Sequence, residues 1–118
     1  MANAILGVVH ILDDDTLYGF IIEQFIKSKV PNAQIHVFDK PLDYIEFCSK
    51  VSITQPTMLF LKHIMPDMYG IEVLQQERIQ QLIQDRLLYV VANSASTDYK
   101  IKENYLENGA HDWFEIPI

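Results

Sequence analysis

Pro56–Leu74 reads PTMLFLKHIMPDMYGIEVL. Its first part, Thr57–Leu61, is a short apolar run rich in bulky side chains. Such a run suits a strand buried on both faces of a parallel sheet. The polar pair Lys62-His63 ends the run and Met65-Pro66 turns the chain. From Gly70 the apolar spacing changes to that of a helix, predicted over Gly70–Ile83 with Ile71, Leu74, Ile79, Leu82 and Ile83 turned inward.

The same strand–turn–helix unit recurs on both sides of this stretch. Val8–Leu12, Ala33–Phe38, Leu87–Ala92 and Asp112–Ile116 read as further strands. Thr16–Lys29, Leu42–Val51 and Thr97–Asn108 have helical spacing. The first of these helices is expected to turn Leu17, Phe20, Ile21, Phe25 and Ile26 inward. The second is expected to bury Leu42, Ile45 and Phe47 or Cys48. Gly109 follows the last helix as a plausible C-terminal cap. Alternating strands and helices imply right-handed crossovers and a parallel sheet covered on both faces. Ligands of such sheets bind beyond the carboxyl ends of the strands. Polar residues stand at those ends: Asp13-Asp14-Asp15, Lys62-His63 and Asn93-Ser94.

A chain of 118 residues fits one domain spanning 1–118, large enough to bury a core unaided. The lone Cys48 excludes an intrachain disulfide and reads as a core residue. No apolar run reaches the roughly 18 residues of a membrane span. Met1–Leu6 lacks the basic region of a signal peptide, so a cytoplasmic location is expected. The net charge of −7 repels nucleic-acid phosphate, which argues against DNA binding by this domain. The four histidines show no ligand spacing, and His63 reads as a loop residue, Tyr69 as a surface aromatic.

Three adjacent carboxylates repel one another unless a cation or a helix N-terminus relieves them. A cap by Asp14 or Asp15 on the following helix accounts for one of them. The strings VVHILDDD, PTMLFLKHIMPDMYGIEVL, VVANSAS and GAHDWFEIPI occur in this order. Together they resemble the receiver domain of two-component response regulators over essentially the whole chain. The resemblance implies a flavodoxin-like, CheY-like doubly wound α/β fold with five parallel strands in the order 2-1-3-4-5. It implies that Asp13 and Asp14 match the acidic pair that holds Mg²⁺, and that Ser94 matches the hydroxyl residue contacting the phosphoryl group. Trp113 matches the switch aromatic, and Ile64 the residue whose carbonyl completes the metal site. It also implies a final helix beyond Pro117. The sequence stops at Ile118, so that face is expected either to lack its helix or to be covered by another subunit.

Two positions depart from the pattern. Lys62 stands where the family has its phosphate-accepting aspartate, and Ile116 where it has the lysine that pairs with the phosphoryl group. No Asp or Glu lies between Glu46 and Asp67, and Asp67 falls past the proline. The ammonium of Lys62 is expected to sit between Asp13 and Asp14 in place of the metal. That leaves Mg²⁺ weak or absent, with no other cofactor. An amine cannot form the acyl phosphate of an aspartate. The expected protein is therefore a non-enzymatic pseudo-receiver acting through protein contacts, with a histidine kinase or an output protein as partner and a homodimer as one arrangement. The contact surface implied by the family is Thr97–Asn108 with Trp113–Ile116. Two alternatives stand beside it: a phospho-regulated receiver with an unorthodox acceptor, and a small enzyme using Lys62. Carboxylates raise a lysine pKa, the wrong direction for a nucleophile.

Overall fold

The computed structural model describes residues 7–95 and 98–115. Strands β1 (Val8–Leu12), β2 (Gln34–Phe38), β3 (Thr57–Lys62), β4 (Leu88–Ser94) and β5 (Asp112–Glu115) alternate with helices. The helices are α1 (Thr16–Lys29), α2 (Pro41–Lys50), α3 (Gly70–Leu74), α4 (Glu77–Gln84) and α5 (Tyr99–Glu107). The five strands form one parallel sheet in the order β2-β1-β3-β4-β5. The expected doubly wound architecture is therefore present. The expected end of the last strand at Ile116 lies outside the described residues, as does Thr97.

Strand pleating divides the side chains between two faces. Leu12, Leu59, Leu61, Val90 and Ala92 pack with Tyr44 and Cys48 of α2, Val73 and Leu74 of α3, Ile79 and Leu82 of α4 and Tyr105 of α5. The alternate residues Val9 and Ile11 pack with Ile22 and Ile26 of α1 on the opposite face. Cys48 is a buried core thiol, as its sequence context suggests.

Three local expectations are corrected. The single helix Gly70–Ile83 is broken at Gln75 and Gln76. The Gln80 amide donates to the carbonyls of Leu74 and Asn108, at 2.7 Å each. It thereby satisfies an α3 carbonyl that a continuous helix would have bonded internally. Both short helices can then bury their own apolar pairs. In α2, Leu42 is exposed while Tyr44 is fully buried. In α1, Leu17, Phe20, Ile21 and Phe25 point outward, and Gly19, Ile22 and Ile26 are the buried residues. That helix carries apolar residues around most of its circumference, so spacing alone did not decide which side meets the sheet. Gly109 does end α5, with φ +103°, a left-handed conformation that glycine adopts without strain.

Candidate functional site at the carboxyl ends of the strands

The three acids after β1 take three different roles. Asp15 caps α1, accepting hydrogen bonds from the backbone N–H groups of Leu17 (3.1 Å) and Tyr18 (3.2 Å). Asp13 is buried and its Oδ1 accepts from the Asp15 N–H at 2.9 Å. Asp14 is half-buried at the pocket rim.

Lys62 ends β3, which runs directly beside β1. It has the pleat parity of Met58 and Phe60, so it emerges on the α1 face, as does Asp13 after Val9 and Ile11. Its Nζ lies 2.9 Å from Asp14 Oδ1 and 3.4 Å from Asp13 Oδ1. The structure thus brings Asp13, Asp14 and Lys62 together. Burial alone would lower the lysine pKa, but the Asp14 contact and the two carboxylate charges outweigh it and hold the ammonium above its ordinary value. Burial dominates at Asp13 instead. It raises that pKa despite the Asp15 N–H and the Lys62 charge. The difference follows from exposure, since the Lys62 side chain keeps 24% of its surface in water and Asp13 only 2%. One Asp13 oxygen, Oδ2, and the Asn93 Oδ1 are buried without a hydrogen-bond partner.

A cavity of about 400 Å³ opens beside the ion pair, lined by Asp14, Lys62, Ile64, Met65, Pro66 and Ser94, with Ala95 at its edge. Ser94 is buried at the end of β4. Trp113 sits on β5 facing α5, its ring centroid 5.4 Å from that of Tyr105. Ile116 lies outside the described residues. A divalent cation would need anionic oxygens where the Lys62 ammonium stands. Among the described residues, no three His, Cys, Asp or Glu side chains gather as a ligand set. The donor set present does not fit the Mg²⁺ of the family site.

His63 lies in the loop after β3, as expected, and also connects two parts of the fold. It points to the other face from Lys62, where its Nδ1 lies 2.7 Å from the Tyr105 hydroxyl. Its ring also stacks on Tyr69, with centroids 5.4 Å apart. Burial lowers the His63 pKa and raises that of Tyr105. Gly70 makes this approach possible. A Cβ there would collide with the Lys62 carbonyl and stand 2.7 Å from the Tyr105 hydroxyl. Spacing in the sequence carries no signal for a contact between residues 63 and 105. Neither does it for His10 and His36, which the β1–β2 register places side by side with ring centroids 5.6 Å apart. His10 is buried against the Tyr44 hydroxyl at 3.0 Å. Burial, with His36 adding to it, lowers its pKa to about 4.

No protein-family model and no curated protein sequence matches the chain. Solved structures do. The signal receiver domain of a Luxo repressor protein from Vibrio parahaemolyticus is 26% identical, with a TM-score of 0.75 over 95% of this chain and 79% of its own. A response regulator receiver domain from Rhodospirillum rubrum superposes with a TM-score of 0.81 at 20% identity, covering 94% and 81%. A CheY-like receiver domain protein from Methanospirillum hungatei JF-1 gives 0.75 at 16%, covering 96% and 83%. Sheet order and these likenesses define the fold: it is that of the CheY-like response-regulator receiver domains. No described helix is long and apolar enough to cross a membrane.

Proposed function

We propose that this receiver works without phosphorylation at its strand-end site, as a pseudo-receiver that signals through protein contacts. The observation that carries the reading is the Lys62 ammonium at 2.9 Å from Asp14 and 3.4 Å from Asp13. It supplies a cation permanently where a receiver of ordinary pattern admits one reversibly. Lys62 cannot take a phosphoryl group as an acyl phosphate. Its raised pKa also removes the free amine that a lysine nucleophile needs. A two-state receiver is biased by a ligand with different affinities for its two arrangements. With an internal ion pair in that place, control passes to protein level, partner binding or assembly. The partner is a histidine kinase or an output protein in a cytoplasmic setting, meeting the face of α5 and β5.

Acetyl phosphate with Mg²⁺, followed by intact mass measurement, tests the reading. No phosphoryl adduct is expected on the parent chain. A stoichiometric adduct would overturn it in favour of a phospho-regulated receiver with a different acceptor. The variant Lys62→Asp restores the missing anionic ligand, so added Mg²⁺ should shift the fluorescence of Trp113. Its phosphorylation should remain poor because Ile116 supplies no charge. Efficient phosphorylation of that single variant would show the weight given to position 116 to be mistaken.

A further inference from the structure

Away from the strand-end site, the α2 face of the sheet holds polar side chains that the receiver reading does not use. His10 stands at the middle of β1, a strand otherwise made of buried apolar residues. It keeps only 2% of its surface in water. An apolar side chain there would pack without the cost of burying an imidazole. The Tyr44 hydroxyl, 3.0 Å away, takes up one ring nitrogen, Nδ1. The other, Nε2, has no hydrogen bond among the described residues. The β1–β2 register sets His36 beside it. Both imidazoles line a cavity of about 200 Å³ between the start of these strands and the residues that follow α2. Gln34, Thr54 and Gln55 are among its other polar residues, and no charged side chain lines it.

The chemistry of this lining selects the ligand. Two imidazoles without a carboxylate do not suit Mg²⁺ or Ca²⁺, which take oxygen ligands. Imidazole nitrogen suits borderline transition metals. The spacing fits as well. Metal–nitrogen bonds of about 2.0–2.1 Å hold two ligating rings roughly 5–6 Å apart, centre to centre. The His10 and His36 rings are 5.6 Å apart. A ligating histidine is oriented by a hydrogen bond at its other nitrogen, which for His10 is the Tyr44 contact. Burial lowers the His10 pKa to about 4, so the ring is neutral at neutral pH, as a ligand must be. At His36, Nε2 lies 3.1 Å from the Gln34 side-chain nitrogen. Gln34 is exposed, and turning its amide over presents the carbonyl oxygen beside the ring instead.

We propose that His10 and His36 form a binding site for a divalent transition metal ion such as Zn²⁺, with the Gln34 amide oxygen and water in the remaining positions. Only two strong donors come from the chain, so the ion is exchangeable rather than structural. An ion here joins edge strand β2 to β1 and gives the domain an input that does not pass through Lys62. The inference does not rest on the Lys62 ion pair, and its test leaves that pair untouched.

Isothermal titration of the full chain, free of any added histidine tag, with zinc chloride should give one ion per chain and a dissociation constant on the order of micromolar. His36→Ala removes a ligand from a half-buried position on the edge strand. It should weaken binding about 100-fold or more while far-UV circular dichroism stays that of the parent. Tyr44→Phe leaves both ligands and removes the bond that orients His10, and should weaken binding about tenfold. His63→Ala and His111→Ala should bind as the parent does. Absence of binding up to about 1 mM Zn²⁺ would overturn the inference. Parent-like binding by a folded His36→Ala would overturn it equally, since the ion would then sit elsewhere on the chain.

Discussion

The described residues close the two faces of this sheet to different extents. On one, α2 to α5 bury a continuous cluster in which Tyr44, Tyr105, Leu59, Leu61, Leu74, Ile79 and Leu82 have almost no contact with water. On the other, α1 is the helix that packs on Val9 and Ile11 among the described residues, and Met58, Phe60 and Phe114 line an open cavity. Neighbouring residues of β3 divide between them. Lys62 closes the open face with an ion pair to Asp13 and Asp14, whereas His63 enters the sealed face and meets Tyr105. A substitution should therefore cost stability according to the face it touches.

The largest expected effect is on the sealed face. Tyr105→Ala removes a fully buried ring that packs on Trp113 and His63. It should cost about 3–5 kcal/mol, read as a lower midpoint in urea at 25 °C. A loss under about 1 kcal/mol would show that this face is less tightly packed than described.

Acid should probe the same face. His10 is neutral in the folded chain with a pKa of about 4 and titrates near 6.5 when unfolded. Between those values the unfolded chain binds more protons, so stability falls as pH drops through that window. The depression corresponds to about 3 kcal/mol in all. His10→Phe should flatten the profile there. If the parent and the variant lose stability in parallel, other groups carry the acid response. Asp13 acts in the opposite sense. Its raised pKa makes ionised Asp13 costly, and protonation relieves that cost as pH approaches the carboxylate range.

At the strand-end rim of the α1 face, Lys62→Ala should cost about 1–3 kcal/mol, because it leaves buried Asp13 beside Asp14 without a cation. Hydrogen exchange should quicken over residues 62–70. The Lys62 contribution is present below its unfolded pKa and is lost as pH rises through the higher folded value. Unchanged stability and exchange in the variant would make Lys62 a passive surface residue.

The smallest effect belongs to the open face. Phe20→Ser replaces a half-exposed ring, and in dilute monomer it should change stability by no more than about 0.5 kcal/mol. A loss matching that of a core residue would erase the contrast between the faces.

Much of this was legible in the order of residues. Short apolar runs alternating with helical spacing specify strands and crossovers, because side-chain period follows directly from backbone geometry. Residues directly after parallel strands converge at one end of the sheet, which gathers Asp13, Asp14, Lys62 and Ser94 there; that Lys62 stands against the two acids is what the resemblance to receiver domains implied. The remainder depended on partners distant in sequence. The apolar residues of α1 nearly encircle it, and only docking against β1 and β2 selected Gly19, Ile22 and Ile26 as its buried side. The break between α3 and α4 rests on a Gln80 side chain bonding Asn108 across the fold. The pairings of His10 with His36 and of His63 with Tyr105 come from strand register and helix docking. Periodicity tells which residues share a face. Which face is covered, and by what, is decided by contacts that close long loops, and only the tertiary structure contains those.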